Sequence, residues 1–140
     1  MAKLRPYLHF EDGKCREAME FYKECFGGEL ELNTLGDSPM GEQAPEETKN
    51  NIMHSMLTKG EIVIMASDML MKEMELNKGN NVTLCINGGT LDELKEYFSK
   101  LSEGGKVGHE LKEEFFGTYG DLVDKFGVYW MFQADKPKES

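Results

Sequence analysis

The sequence predicts an α+β protein made of two tandem βαβββ modules that form a curved mixed sheet around a cavity. One pattern of strand, amphipathic helix, Gly-Gly turn and strand occurs twice, about 76 residues apart. Its copies cover residues 7–30 and 83–107, and each half closes with an apolar strand ending in aspartate, at 60–68 and 127–135. Because a half this short buries a sheet face poorly alone, the halves are expected to share one core, with a ligand site between them.

In the first half, the apolar periodicity predicts each element. Residues 14–26 carry apolar side chains three and four positions apart and end at Gly27-Gly28, as a helix with a left-handed C-cap does. Pro6 lies near the start of the first strand, where its missing N–H matters least. Residues 36–49, rich in Pro, Gly and Glu, are expected to form a mobile loop. Strands are predicted at 4–10, 29–35, 51–57 and 61–66.

The second half repeats this order. Thr90, three residues before Glu93, predicts a capping box at the start of the helix. Strands are predicted at 81–87, 106–111, 118–123 and 128–134. The predicted domain boundaries are 1–68 for the first module, 69–79 for a Met-rich connector, 80–135 for the second module and 136–140 for a frayed tail.

Composition excludes several classes of partner. The chain has 140 residues with 16 Lys and Arg against 26 Asp and Glu, a net charge of −10, which disfavours nucleic acid and anionic membrane surfaces. No apolar run approaches the roughly 18 residues of a membrane helix, and no signal-peptide core follows Met1, so a cytoplasmic location is expected. Cys15, Cys25 and Cys85 lack metal or disulfide spacing and are expected to be reduced packing residues.

His54 is the first candidate for a pocket residue. It lies within a predicted strand, and a period of two places Ile52, His54 and Met56 on one face. In the repeat His54 aligns with Asp121, which would bring two ionisable groups to one cavity. A histidine there can serve as a general base, a hydrogen-bond donor or a metal ligand, or it can be a buried side chain bonded to a carbonyl or a tyrosine. The sequence leaves both readings open.

The other candidates are aromatic residues or neighbours of aromatic residues. His9 shares a strand face with Tyr7, and Trp130 and Met131 alternate on the last strand, so that one of them faces the core. Phe116 and Tyr119 flank Gly117 in a segment expected to form the rim of the cavity. His109 is expected to be solvated, and a metal set of His9, His54 and Asp121 is not expected to converge. The methionines of the connector are expected to cover an interface or a site entrance; they are Met69, Met71 and Met74.

These features together resemble the PhnB-like branch of the vicinal oxygen chelate superfamily, which includes glyoxalases, ring-cleaving dioxygenases and the bleomycin- and fosfomycin-resistance proteins. The resemblance covers nearly the whole chain. It rests on the paired βαβββ modules and on four motifs: Glu17-Ala18-x-x-Phe21-Tyr22 leading to Phe26-Gly27-Gly28, His54-Ser55, Ser67-Asp68, and Asp124-x-x-Gly127-Val128-x-Trp130.

The resemblance implies a glyoxalase/bleomycin-resistance/dioxygenase-like fold and a homodimer. In metal-dependent relatives four inward-facing positions hold the ion; here they correspond to Arg5 or Tyr7, a position near Ile64, Asn81 and Met131. None is a histidine or carboxylate, so no cofactor is expected; a divalent metal is the alternative, with His54 the best single candidate. PhnB-like members are often described as demethylubiquinone methyltransferases, yet we find no glycine-rich loop that follows a strand and opens a helix, as a nucleotide-type cofactor needs.

The expected function is therefore the binding of an unidentified small molecule in the inter-module cavity, without the usual metal quartet. Two alternatives stay open: a metal-dependent lyase, isomerase or dioxygenase with a rearranged site around His54, and a resistance protein that sequesters an antibiotic. The predicted pocket residues are Tyr7, His9, His54, Asn81, Phe116, Tyr119, Asp121, Trp130 and Met131.

Overall fold

The computed structural model describes residues 1–69 and 75–135, which belong to two compact units with a boundary between Asn77 and Lys78. Of the predicted connector, Met71 and Met74 lie outside the described residues, as does the predicted tail at 136–140. Within the described residues, no helix is long and apolar enough to cross a membrane.

The first unit is a βαβββ module. Its elements are β1 (Tyr7–Phe10), α1 (Cys15–Phe26), β2 (Glu29–Thr34), β3 (Ile52–Lys59) and β4 (Ile62–Asp68). The sheet order is β1-β4-β3-β2, in which β1 runs parallel to β4 and the other pairs are antiparallel. The predicted loop at 36–49 contains two short 3-10 helices, Gly41–Gln43 and Glu46–Thr48.

The second unit repeats the module, which confirms the predicted architecture as two four-stranded mixed sheets. Its elements are β5 (Leu84–Asn87), α2 (Leu91–Leu101), β6 (Lys106–Glu114), β7 (Gly117–Val123) and β8 (Tyr129–Asp135). The sheet order is β5-β8-β7-β6, again with one parallel pair, β5 and β8. The Thr90 half of the predicted capping box forms, because the hydroxyl of Thr90 accepts the backbone N–H of Glu93 at 3.1 Å.

Each helix covers one face of its own sheet. The apolar stripe of α1 is buried against β2, β3 and β4. On the sheet side the buried residues include Leu57, Ile64 and Ala66. In the second unit Trp130 and Phe132 of β8 are buried, and Phe132 meets Phe98 of α2 edge-on at 5.3 Å between ring centroids. The opposite face of each sheet carries no helix of its own unit, and we call it the helix-free face.

Some strand ends differ from the prediction because a strand needs a partner. β5 begins at Leu84 rather than 81, since its partner β8 begins only at Tyr129; Asn81 is therefore exposed and outside the strand. β1 begins at Tyr7 rather than at 4. Just before it, the carbonyl of Pro6 accepts the backbone N–H of Met65 at 3.1 Å, which extends the pairing with β4 by one hydrogen bond. β6 is longer than predicted and reaches Glu114.

A bulge in β3 changes which side chains share a face. Asn33 pairs with His54 while the next residue, Thr34, pairs with Ile52, so that Met53 is the extra residue. Ile52 is fully buried on the same side as Ser55 and Leu57. The prediction that Ile52 shares a face with His54 and Met56 is therefore wrong, whereas His54 and Met56 do share the helix-free face.

Two buried aspartates explain two of the sequence motifs. Asp68, at the end of β4, accepts the backbone N–H groups of Cys15 at 2.9 Å and Ile52 at 2.8 Å. Asp124, in the turn before β8, accepts the N–H groups of Phe126 and Val128 and, at 2.8 Å, the indole N–H of Trp130. Both motifs thus hold backbone turns and helix ends in place.

The cysteines divide into two groups. Cys15 and Cys25 are buried as predicted, and burial raises the pKa of the Cys15 thiol to about 12. Cys85 lies exposed on β5, so the prediction that all three cysteines are packing residues is wrong for this one. Partial burial of its thiol still raises the pKa of Cys85 above the ordinary value.

Candidate functional site

The helix-free face of the second sheet contains a cavity of about 500 Å³. This volume lies within the range of small-molecule sites. Of the predicted pocket residues, Tyr119, Asp121, Trp130 and Met131 line it. Thr83, Lys106, Gly108 and Tyr129 also line it, and the sequence analysis did not select them for a pocket.

Strand register explains why these side chains converge. Met131 of β8 pairs with Cys85 on one side and with Asp121 on the other, and Asp121 in turn pairs with His109. Residues that are paired across neighbouring strands point to the same face, so these four form one row across the sheet. Trp130 points the other way: it is 1% exposed and belongs to the core.

Three side chains in this region form a hydrogen-bonded group, which we call the Tyr119–Asp121–His109 trio. One carboxylate oxygen of Asp121 lies 2.9 Å from Nδ1 of His109 and accepts the Tyr119 hydroxyl at 2.7 Å. The other accepts the backbone N–H of His109 at 3.0 Å. The His109 side chain is 75% exposed, in line with the expected solvation, but its bond to Asp121 was not foreseen.

The hydrogen bonds of the trio shift the pKa values of Asp121 and Tyr119. Burial alone would raise the pKa of Asp121, but the hydrogen bonds from Tyr119 and His109 outweigh it, so the pKa of this carboxyl lies below its ordinary value. The hydrogen bond to Asp121, assisted by burial and by the carboxylate charge, raises the pKa of Tyr119. Asp121 therefore stabilises the fold above about pH 4, and this contribution is lost as the pH falls through the lowered pKa.

Replacing Asp121 with asparagine should lower the pKa of Tyr119 toward its ordinary value of 10.0, because the charged acceptor that favours the protonated phenol is removed. Tyrosine absorbance at 295 nm, followed through an alkaline titration, measures the change. Tyr119→Phe identifies the Tyr119 signal among the five tyrosines of the chain. An unchanged titration in Asp121→Asn would contradict the hydrogen bond.

The helix-free face of the first sheet brings three predicted candidates together. The hydroxyl of Tyr7 lies 3.4 Å from Nδ1 of His54, and their rings stack at 5.9 Å between centroids. The ring of His9 lies 5.2 Å from that of Tyr7. His54 is half-buried and shares a hydrogen bond with a tyrosine, and its role in a pocket stays a prediction.

The residues that the sequence analysis placed at metal positions do not fit a divalent ion. Ile64 is 2% exposed on the helix-covered face, and its side chain offers no ligand atom. Asn81 lies outside β5, and Tyr7 and Met131 are poor ligands for hard or borderline cations. Among the described residues, no group of three or more His, Cys, Asp and Glu side chains is placed to hold a metal ion.

The helix N-termini fit a phosphate-bearing cofactor poorly. Gly88 and Gly89 separate β5 from α2, so the expectation that no glycine loop lies between a strand and a helix is wrong. However, Thr90 caps α2 and the first turn is acidic, while the carboxylate of Asp68 occupies the start of α1. At the N-termini of both helices, negative charge and side-chain oxygens therefore compete with an anionic ligand.

Phe116 lies at the tip of the β6–β7 hairpin, next to Phe115. The two rings meet edge-on at 5.3 Å, and the exposed fractions are 50% for Phe116 and 87% for Phe115. The hairpin tip is thus an exposed aromatic turn. Whether it forms the rim of a ligand site stays a prediction.

Comparison with known proteins adds family evidence. A family described as 3-demethylubiquinone-9 3-methyltransferase matches residues 2–133. Protein YjdN of Escherichia coli (strain K12) is 30% identical over 141 residues, which cover 95% of each chain. The structure of protein PA1353 from Pseudomonas aeruginosa is 31% identical, covers 96% of this chain and 100% of its own, and superposes with a TM-score of 0.79.

Two further solved structures share the fold. The PhnB protein from Bacillus cereus is 27% identical, with a TM-score of 0.69 and coverage of 95% of this chain and 99% of its own. A glyoxylase/bleomycin resistance protein/dioxygenase domain from Frankia sp. EAN1pec has a TM-score of 0.68 at 10% identity, covering 99% of this chain and 95% of its own. At that identity the likeness shows the fold alone, which is the glyoxalase/bleomycin-resistance/dioxygenase fold.

Proposed function

Since the chain belongs to the 3-demethylubiquinone-9 3-methyltransferase family, to which PhnB-like proteins are assigned, we propose that it binds a small organic molecule on the helix-free face of its second sheet. The observation that carries the proposal is the cavity of about 500 Å³ on this face. Family membership supports it only in part, because proteins of one fold bind many different ligands.

The lining supports a ligand with both an apolar and a polar part. Met131, Val123 and Tyr129 offer apolar and aromatic surface, and Met131 adapts readily to different shapes. Lys106 and Thr83 offer hydrogen-bond donors at the same cavity. A planar ring that carries a hydroxyl or carbonyl group matches this combination.

The test uses 4-nitrophenol, a ring with a hydroxyl group, as the ligand. Trp130 is the only tryptophan and lies on the strand that lines the cavity, so quenching of its fluorescence reports binding. Met131→Arg places a long charged side chain in the apolar lining and should weaken the Kd by about tenfold or more, which equals about 1.4 kcal/mol.

Gln133→Arg is the matched control. Gln133 lies two residues further along β8 on the same face, where it pairs with Tyr119, and it does not line the cavity. Its Kd should stay within about twofold of the unmodified protein. Equal Kd values for all three proteins would overturn the proposal. Loss of binding only in Leu111→Arg would instead assign the ligand to the cavity of about 310 Å³ between α2 and β6.

Other expectations from the sequence stay predictions. They are the shared cavity between the modules, the homodimer, the cytoplasmic location, the absence of a cofactor and, as its alternative, a divalent metal at His54. The antibiotic-sequestering reading would be one case of the proposed binding, with an aromatic drug as the ligand.

A further inference from the structure

The strand β6 contains an irregularity that builds the Tyr119–Asp121–His109 trio. Val107 pairs with Leu122, but the next pair along β7 joins Asp121 to His109, so Gly108 is an extra residue. In a regular ladder Gly108 would oppose Asp121, and His109 would point to the helix-covered side. The bulge therefore turns His109 onto the helix-free face, which is how bulges beside functional sites redirect a side chain.

The Tyr119–Asp121–His109 trio also depends on the absence of a side chain at Gly108. A Cβ atom at this position would collide with Oδ1 of Asp121, the oxygen that accepts the backbone N–H of His109. The carboxylate thus fills the space that any larger residue would occupy. A bulge, a glycine and three hydrogen bonds all serve to hold one histidine ring beside the cavity.

The orientation of that ring has a chemical consequence. With Nδ1 directed at a carboxylate 2.9 Å away, the neutral imidazole carries its proton on Nδ1 and has a free lone pair on Nε2. A carboxylate that fixes this tautomer is the arrangement that makes histidine an effective base. The His109 side chain is 75% exposed, so Nε2 is open to water, and its two hydrogen-bond partners, Tyr119 and Asp121, line the cavity.

We propose that His109 is a general acid–base group for a small ester bound in the second-unit cavity, with Asp121 as its positioning residue; the inference rests on the proposed function for the binding of the ester. In this reaction Nε2 takes a proton from water while the water oxygen bonds to the ester carbonyl carbon. The bond between that carbon and the alcohol oxygen then breaks, and the proton returns from Nε2 to the leaving oxygen. Ester and water give acid and alcohol, with no further reactant.

The test measures hydrolysis of 4-nitrophenyl acetate by the release of 4-nitrophenol, in the full chain under multiple turnover. His109→Gln should lower kcat by about 100-fold, the typical contribution of a general base, and abolish the slowing in D₂O. Asp121→Asn should lower kcat by about tenfold or more, because asparagine no longer fixes the tautomer of His109; since Asp121 also lines the cavity, the Kd of 4-nitrophenol is measured in the same variant. His9→Gln and His54→Gln are matched controls, since these are the other two histidines, and should stay within about twofold.

The Kd of 4-nitrophenol in the same variants separates the two proposals. Loss of hydrolysis in His109→Gln with an unchanged Kd supports the inference. An unchanged rate with an unchanged Kd overturns the acid–base role and leaves ligand binding intact. If Met131→Arg changes neither the rate nor the Kd, the cavity assignment is wrong and the inference falls with it. An equal loss of rate in His9→Gln would also overturn it, because the reaction would then not depend on the trio.

Discussion

Replacing Trp130 with alanine should lower the free energy of unfolding by about 3–5 kcal/mol, the cost of truncating a large buried aromatic side chain. Trp130 is 1% exposed and is the largest fully buried side chain of the described residues. The loss has two sources: a cavity at the centre of the second sheet, and the lost hydrogen bond from the indole N–H to the Asp124 carboxylate at 2.8 Å.

Trp130→Phe separates these two sources. Phenylalanine keeps most of the buried ring but has no N–H, so its cost should be about 1–2 kcal/mol and reflect mainly the lost hydrogen bond. Urea unfolding followed by far-UV circular dichroism measures both variants, since neither retains tryptophan fluorescence. A cost below about 1 kcal/mol for Trp130→Ala would contradict the core position of this residue.

The sequence was sufficient for the module architecture because that architecture depends on periodicity. The helix stripes, the Gly-Gly turn after α1 and the alternation of Trp130 with Met131 all follow from a spacing that each segment carries by itself. The repeat then supplied the order of the elements. The strand ends were less predictable, because the start of β5 depends on where its partner β8 begins.

The candidate site was predictable only in part, since its side chains are selected by strand register. Asp121 and Tyr119 were both named as pocket candidates, one from the repeat and one from an aromatic segment, but their partner His109 was expected only to be solvated. One extra residue, Gly108, reverses the face of His109, and no local pattern shows such an insertion. The bulge at Met53 explains in the same way why Ile52 was assigned to the wrong face of β3.

Sequence motifs were recognised before their physical role was clear. Ser67-Asp68 and Asp124-x-x-Gly127-Val128-x-Trp130 served as marks of a family. In the structure both aspartates are buried and accept two or three N–H groups. A motif of this kind can therefore be shared because the fold needs it, and it says little about the ligand.

Asp68→Ala should destabilise the protein by about 2–5 kcal/mol, because it leaves two buried N–H donors without an acceptor, at about 1–3 kcal/mol each. The residue is 2% exposed, and its carboxylate joins the first residue of α1, Cys15, to the first residue of β3, Ile52. Lys14, at the N-cap position of α1, makes no side-chain cap, so the start of the helix is capped instead by Asp68, the last residue of β4. Its negative charge also faces the positive end of the helix dipole.

Two variants test this reading by chemical denaturation. Asp68→Asn keeps one acceptor oxygen and should lose less than Asp68→Ala, because one of the two N–H groups retains its partner. Thr90→Ala removes the exposed cap of α2, a single hydrogen bond to one backbone N–H, and should cost about 1 kcal/mol. If Asp68→Ala costs no more than Thr90→Ala, the carboxylate does not hold α1 and β3 together. A larger cost would instead show that a buried carboxylate from β4 fixes both the start of the helix and the start of the strand that carries His54.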